Sequence, residues 1–260
     1  MADLRLRAKV FRNTYLMGPK WLFTAAISDK DYAKVLTALE PHAGAPGSRL
    51  DPSVLRKVRS RLRPWFWPFI GDAEPWATAA EGTWYPPSTY AIKEPGGLMR
   101  RVLDCTSVES SVLDIGCNSG ANLNFLREAG FTELYGVDAG RNALAHFERN
   151  YPETFRMASI KHDLFQRYLL NSPSRFVDVV HSNGATLELV HPSFPFVAEI
   201  CRVARRDVFV AIVELGHAYP RKYIEQFRRH GFELVYCRRP LDRRTGSSIL
   251  QFSRAKPSTE

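Results

Sequence analysis

The sequence predicts an α/β protein with a doubly wound, mostly parallel seven-stranded sheet that ends in an antiparallel hairpin, preceded by a mainly helical N-terminal extension. Two observations carry this prediction. After residue 97, short apolar runs rich in β-branched residues alternate with helix-like segments, as in buried parallel strands. The last two strand-like runs are joined by too few residues for a helix, so they must pair antiparallel. We therefore expect one domain over residues 96–260 and an extension over residues 1–95.

The composition allows a sizeable core and sets limits on the class of protein. Of the 260 residues, 45% are hydrophobic, and the formal net charge is +9. No apolar run is long enough for a bilayer span, and charged residues stand where a secretory signal would be apolar, so we expect a cytoplasmic protein. The positive charge is spread over both halves of the chain. It permits contact with nucleic acid or an anionic membrane but does not require either.

The cysteines predict neither disulfides nor a metal site. None of the four forms a CxxC pair, and no His/Cys spacing is typical of zinc. We expect reduced, mostly buried thiols, as is usual in the cytoplasm. The four are Cys105, Cys117, Cys201 and Cys237.

The extension divides into a helical part and an irregular part. Residues 28–42 and 51–63 are predicted helices, the second with Asp51 as its N-cap and Pro52 in its first turn. The following segment, Trp65 to Tyr90, is dense in proline, glycine and aromatic residues. It is too broken for a long helix and too aromatic for a free linker. We therefore expect it to lie over a domain surface.

Strands and helices alternate through the predicted domain. Gly130 and Gly231 stand where glycines commonly end helices. The predicted strands are SVLDIG, LYGVDA, a short run at IKH, FVDVVHSNG, DVFVAIVE, FELVYCRR and GSSILQFSRA. The predicted helices are GANLNFLREAG, GRNALAHFERNY, SFPFVAEICRVAR and YPRKYIEQFRRHG.

The turn after the first predicted strand carries the most specific signal. The stretch DIGCNSG begins with Asp114 and places glycines at Gly116 and Gly120. A dinucleotide fingerprint would require a glycine at position 118, where the backbone approaches the pyrophosphate, and the chain has Asn118. An acid two residues before the turn also suits a positively charged ligand better than a pyrophosphate.

This stretch resembles the first motif of the class I S-adenosylmethionine-dependent methyltransferases, in which an acid and one further residue precede a glycine-rich loop. The resemblance covers about residues 98–255 and includes the terminal hairpin. It implies a Rossmann-like seven-stranded fold and methyl transfer from S-adenosylmethionine. The cofactor would bind at the carboxyl ends of the strands, as ligands do in open α/β sheets.

The resemblance also implies individual roles. Asp138 would accept hydrogen bonds from the ribose hydroxyls, and Asp163 with the backbone of Leu164 would contact the adenine. The backbone around Ser182 and Asn183 would lie near the methionyl amino group. The implied cofactor-binding residues are Asp114, Gly116, Cys117, Asn118, Gly120, Asp138, Ala139, Asp163, Leu164, Ser182 and Asn183.

The sequence offers candidates for catalysis but no signature. Displacement at a sulfonium can rely on positioning and desolvation, and a base is needed only where the acceptor must lose a proton. His191 and Glu188, after the fourth strand, are the candidate catalytic residues, whereas we expect His181 within that strand to be packed or hydrogen bonded. The motifs typical of DNA adenine, glutamine and cytosine C5 methylation are absent.

The acceptor pocket is expected to come from the extension and the segment that follows it. Tyr85, Tyr90 and Arg100 or Arg101 are candidates to close over the cofactor and exclude water. The alternative, that the aromatic residues only anchor the extension to the domain, stays open.

Three functions remain open at this point. The first is O- or N-methylation of a small-molecule, saccharide or lipid-like acceptor. The second is RNA or protein methylation through basic segments such as LRKVRSRLRPWFW, a stretch that could also rest on an anionic membrane. The third is a non-catalytic protein that keeps the fold only for binding.

Overall fold

The computed structural model describes residue 88 and residues 96–183, 187, 190, 194–214, 222–241 and 246–255. The predicted boundary of the extension at residue 95 therefore falls at the edge of the described residues. Tyr85, Tyr90, Glu188 and His191 lie outside them.

Residues 96–255, where described, include seven strands and seven helices, which alternate except that two helices separate the second strand from the third and the last two strands follow each other directly. The strands are β1 (Val112–Ile115), β2 (Leu134–Asp138), β3 (Ser159–His162), β4 (Val177–Asn183), β5 (Ala204–Ile212), β6 (Phe232–Arg238) and β7 (Ser248–Arg254). The helices are α1 (Gly97–Cys105), α2 (Ala121–Glu128), α3 (Arg141–Asn150), α4 (Pro152–Met157), α5 (Phe165–Asn171), α6 (Phe196–Val203) and α7 (Tyr223–Arg229).

All seven strands belong to one sheet with the order β3-β2-β1-β4-β5-β7-β6. Strands β1 to β5 are parallel, and β7 runs antiparallel to both of its neighbours. The predicted α/β fold with its terminal hairpin is confirmed. The order reverses between β1 and β4, and open α/β sheets bind their ligands at such a switch point.

Two apolar layers cover the sheet. One packs α1, α2 and α3 against side chains such as Val112, Val179 and Phe209. The other packs α5, α6 and α7 against the opposite face, which includes Leu113 and Val180. Both faces are covered, so β1 is buried at every position, as its apolar run predicts.

Three helices were not predicted from the sequence. Helix α4 follows α3 almost directly and buries only Thr154, so it presents no apolar stripe that periodicity could reveal. Helix α5 follows β3 after two residues, and α1 lies where the regular pattern begins. Helix α1 carries both Arg100 and Arg101.

Two partly buried arginines contact the carbonyl oxygens at the ends of two helices. The Arg202 guanidinium donates to the carbonyl oxygens of Leu169 (2.5 Å) and Ser172 (2.9 Å) at the end of α5, and to the buried carboxylate of Glu199 (2.8 Å). The Arg254 guanidinium donates to the carbonyls of Cys201 and Ala204, both at 2.7 Å, at the end of α6. These contacts satisfy carbonyl oxygens that a helix end leaves without intrahelical partners.

Replacing Arg202 with methionine should lower the free energy of unfolding by about 3–5 kcal/mol, because the Glu199 carboxylate would remain buried without its partner. Urea unfolding measures this loss. Arg229→Met is the matched control, since its ion pair with Glu225 is exposed and should contribute at most about 1 kcal/mol. Equal losses in the two variants would contradict the role assigned to Arg202.

The four cysteines are free, but they are less uniformly buried than expected. Cys117 and Cys201 are buried and Cys237 is half-buried. Cys105 is exposed and is the last residue of α1. Within the described ranges, no helix combines the length and apolarity needed to cross a membrane.

Candidate functional site

The loop between β1 and α2, residues 116–120, has an alternating left-handed backbone. Gly116 (φ 75°), Asn118 (φ 48°) and Gly120 (φ 78°) all have positive φ. Asparagine is among the non-glycine residues that best tolerate this region. Asn118 therefore adopts a left-handed backbone, which a glycine at this position would also allow. We refer to residues 116–120 as the glycine loop.

Every amide of the glycine loop already donates a hydrogen bond within the protein. Loops that bind phosphates instead turn several backbone N–H groups toward the ligand. The engaged amides leave none of these five donors for a pyrophosphate, in agreement with the sequence argument. The bonds are Gly116 N and Cys117 N to Val137 O (2.9 and 3.2 Å), Asn118 N to Asp138 Oδ2 (2.8 Å), Ser119 N to Asn118 Oδ1 (2.7 Å) and Gly120 N to Cys117 O (2.9 Å).

Asp138, at the end of β2, connects two loops. Its Oδ2 accepts from the Asn118 amide at 2.8 Å, and its Oδ1 accepts from the Gly140 amide at 2.7 Å. Burial raises the pKa of Asp138, while these two amides and His162 act in the opposite direction. Each carboxylate oxygen can accept a further hydrogen bond, so the group keeps capacity for hydroxyl donors.

Asp163 lies beside Asp138 at the same edge of the sheet. Its amide donates to the Asp138 carbonyl at 3.0 Å, which holds the loop after β3 against the end of β2. Its Oδ1 accepts from the Leu164 amide at 2.8 Å and pairs with Arg167 at 3.1 Å. His162 lies 3.1 Å from the carbonyl of Ala139 through Nε2, so it also joins these two loops.

Beneath the glycine loop, Asp114 and His181 face each other with both side chains fully buried. The Oδ1 atom of Asp114 lies 3.4 Å from Nδ1 of His181. Burial, followed by the charge of Asp138, raises the pKa of Asp114 well above its usual range, and the Asn122 amide acts in the opposite direction. Burial lowers the pKa of His181 to about 3, so its imidazole is neutral near pH 7. His181 is packed, as expected, and is a poor base.

The end of β4 is fastened to the end of β1. Ser182 donates from Oγ to the Ile115 carbonyl at 2.9 Å, and its side chain is buried, whereas Asn183 is exposed as the last residue of the strand. The positions implied by the resemblance thus meet at one edge of the sheet, where β1 to β4 end. Their contacts with a cofactor stay predictions.

The two arginines considered as lid residues differ in their surroundings. Arg101 donates from Nε to Gln251 Oε1 at 2.9 Å, and its guanidinium lies 4.3 Å above the Tyr236 ring. It is therefore held by the β6–β7 hairpin. Arg100 is exposed on α1.

A polar cluster at the carboxyl end of β5 was not found from the sequence. The Glu214 Oε1 atom accepts from Arg239 Nε at 2.9 Å and from Ser248 Oγ at 2.6 Å. These residues stand at the ends of three different strands, and each alone resembles an ordinary surface residue. Only the antiparallel hairpin brings them to the edge of the sheet that carries the glycine loop.

Residues 112–207 match the model of a methyltransferase domain family. A comparison with curated protein sequences finds no match.

Several solved structures share the fold. A TehB-like SAM-dependent methyltransferase from Corynebacterium glutamicum is 16% identical, with a TM-score of 0.51 over 64% of this chain and 91% of that one. The magnesium protoporphyrin IX methyltransferase from Synechocystis, solved with bound SAM, is 14% identical, with a TM-score of 0.52 over 80% and 99%. A SAM-dependent methyltransferase from Mesorhizobium loti is 13% identical, with a TM-score of 0.51 over 61% and 99%.

These likenesses establish the fold, and the matched domain covers β1 through the start of β5, which includes the glycine loop and Asp138. The matched domain, the strand order and the glycine loop agree with the fold of the class I S-adenosylmethionine-dependent methyltransferases.

Proposed function

We propose that the chain transfers a methyl group from S-adenosylmethionine to an oxygen or nitrogen of a small-molecule, saccharide or lipid-like acceptor by in-line displacement. The observation that carries the cofactor site is the glycine loop, whose amides are all engaged and whose Asn118 is held by Asp138. Such a loop can bind a ligand through its fit to the backbone and through the nearby carboxyl groups, but it has no amide left to donate to a phosphate.

The residues at the site fit this cofactor. Neither carboxylate oxygen of Asp114 has a donor at full hydrogen-bonding geometry among the described residues, which suits a ligand with positive charge. Asp138 has acceptor capacity for ribose hydroxyls, and Asp163 with Leu164 would hold the adenine. When bound, S-adenosylmethionine supplies a methyl group on a sulfonium whose thioether leaves readily.

The chain's own contribution would be positioning and the exclusion of water. The hydrogen bond from Ser182 to the Ile115 carbonyl holds the ends of β1 and β4 together beside the proposed cofactor site. Buried His181, with its pKa near 3, is unsuited to remove a proton from an acceptor. For a hydroxyl acceptor, Glu188 and His191 are the proposed bases. Tyr85, Tyr90 and Arg100 are the proposed residues that close the site.

The environment of the arginines supports a small acceptor over nucleic acid. Among the described residues, six arginines are engaged in contacts within the protein, whereas RNA affinity depends on cations free to contact phosphates. Arg202, Arg205 and Arg254 donate to backbone carbonyls, and Arg127, Arg229 and Arg239 pair with carboxylates.

Incubating the protein with S-adenosylmethionine carrying a labelled methyl group, in an extract of the cells that produce it, tests the acceptor class. We expect label in the low-molecular-weight or organic-solvent fraction. Label removed by nuclease or protease would overturn the small acceptor in favour of RNA or protein. Calorimetry without extract tests the cofactor separately, and absence of binding by the folded protein would overturn the whole proposal.

A further inference from the structure

The contact between Asp114 and His181 is built into the register of the sheet. The two residues are direct partners in the β1–β4 pairing, so their side chains emerge side by side on the same face. Both are fully buried, and Oδ1 lies 3.4 Å from Nδ1. Among the described residues, neither imidazole nitrogen and neither Asp114 carboxyl oxygen has a hydrogen-bond partner.

The surroundings of this pair contain few compensating charges. The ionisable groups that face Asp114 within the described residues are His181 from β4, Asp138 from the end of β2 and the Cys117 thiol from the glycine loop. Helix α2 adds the neutral amide of Asn122. On the other side, His181 has Phe209 of β5 as its register partner. The described surroundings therefore place no lysine or arginine against the Asp114 carboxylate.

An isolated carboxylate in such a place is costly, so burial favours the protonated form of the Asp114 carboxyl, whereas a nearby cation favours its ionised form. We propose that His181 is a positioning residue for the Asp114 carboxyl, and that this buried pair releases its proton to solvent when the cofactor binds. The inference rests on the proposed cofactor site. The O–H bond of the Asp114 carboxyl breaks, the proton leaves to water, and the carboxylate accepts a hydrogen bond from the Nδ1–H tautomer of neutral His181.

The direction of the pH dependence follows from this exchange. Burial holds the pKa of Asp114 well above the usual carboxyl range in the free protein, and the positive cofactor lowers this pKa on binding. Affinity is therefore highest above the free-state pKa. It falls as pH decreases toward the bound-state pKa, and proton release occurs between the two values.

Calorimetric titration with S-adenosylmethionine, in buffers of different ionisation enthalpy between about pH 5.5 and 8, counts the protons released. We expect the wild-type protein to release more protons per cofactor than Asp114→Asn. His181→Leu, which lacks the donor, should bind about ten-fold more weakly below the free-state pKa and shift the pH profile upward by about one unit. His181→Asn, which keeps an N–H near the position of Nδ1, should return the profile toward wild type.

Infrared difference spectra provide a second measurement, which reports on the carboxyl group directly. Cofactor binding should remove a protonated-carboxyl band, and Asp114→Asn should lack that change. Equal proton release by wild type and Asp114→Asn, or equal pH profiles for wild type and His181→Leu, would overturn the inference while leaving the cofactor site in place. No binding by the folded wild-type protein would overturn the cofactor site itself.

Discussion

The Asp138→Ala variant should lose about 100-fold or more of its affinity for S-adenosylmethionine while remaining folded. The Asp138 carboxylate has two roles, and the substitution removes both of them. It holds the amides of Asn118 and Gly140, which fixes the glycine loop and the start of α3, and it is the proposed acceptor for the ribose hydroxyls. Hydrogen bonds to a charged group each contribute about 1.5–3 kcal/mol, so losing two ribose contacts accounts for this magnitude.

Asp178→Ala is the matched control for this measurement. The Asp178 carboxylate also accepts from a backbone amide, that of Ser111 at 3.0 Å, and it pairs with Arg205 at 3.2 Å. It lies at the opposite end of the sheet, near the start of β4, so its loss should lower stability and leave cofactor affinity unchanged. Calorimetry and thermal unfolding of both variants check these outcomes. Unchanged affinity in Asp138→Ala would remove the ribose assignment.

Replacing Gly120 with alanine should lower the free energy of unfolding by about 2–4 kcal/mol, because two penalties act at one position. The backbone φ of 78° disfavours any side chain, and the added Cβ would lie 2.1 Å from Cδ2 of Phe147. Phe147 is fully buried in α3 and packs against Phe155 and Tyr151, so it has little room to move. A lower midpoint in thermal or urea unfolding would show the loss.

Two other glycines separate these penalties. Gly231→Ala keeps a positive φ of 75° with no atom within 4 Å of the new Cβ, and it should cost about 1 kcal/mol. Gly136→Ala has an ordinary φ, but its Cβ would lie 2.8 Å from Leu123 and 2.9 Å from Ile160, which isolates the steric term. If Gly120→Ala costs no more than Gly231→Ala, then Phe147 gives way and the packing argument is wrong.

The main features of the fold could be predicted because they are local in the sequence. Buried parallel strands are continuous apolar runs, and the short connection between β6 and β7 leaves antiparallel pairing as the only choice. The glycine loop can be recognised in the sequence from Gly116 and Gly120, both of which adopt the left-handed backbone. The acids at positions 114, 138 and 163 were located because each stands at or just beyond a predicted strand.

The remaining features depend on contacts between distant residues. The approach of His181 to Asp114 joins residues 67 positions apart and follows from the β1–β4 register, which periodicity does not specify. The burial of the Arg202 side chain could not be predicted, because nothing nearby in the sequence reveals that α5 ends against it. The helical and aromatic extension over residues 1–95 stays a prediction.

The strand order also places the proposed cofactor-binding residues and the Glu214 cluster in different halves of the sheet. The glycine loop and the acids that follow β2 and β3 lie on one side of β1, whereas β4 to β7 form the other half, with the Glu214 cluster at its end. Within the sheet, the two halves are joined by the pairing of β1 with β4. Sequence changes in the second half can therefore alter the acceptor site, while the residues proposed to bind the adenosine of the cofactor stay the same.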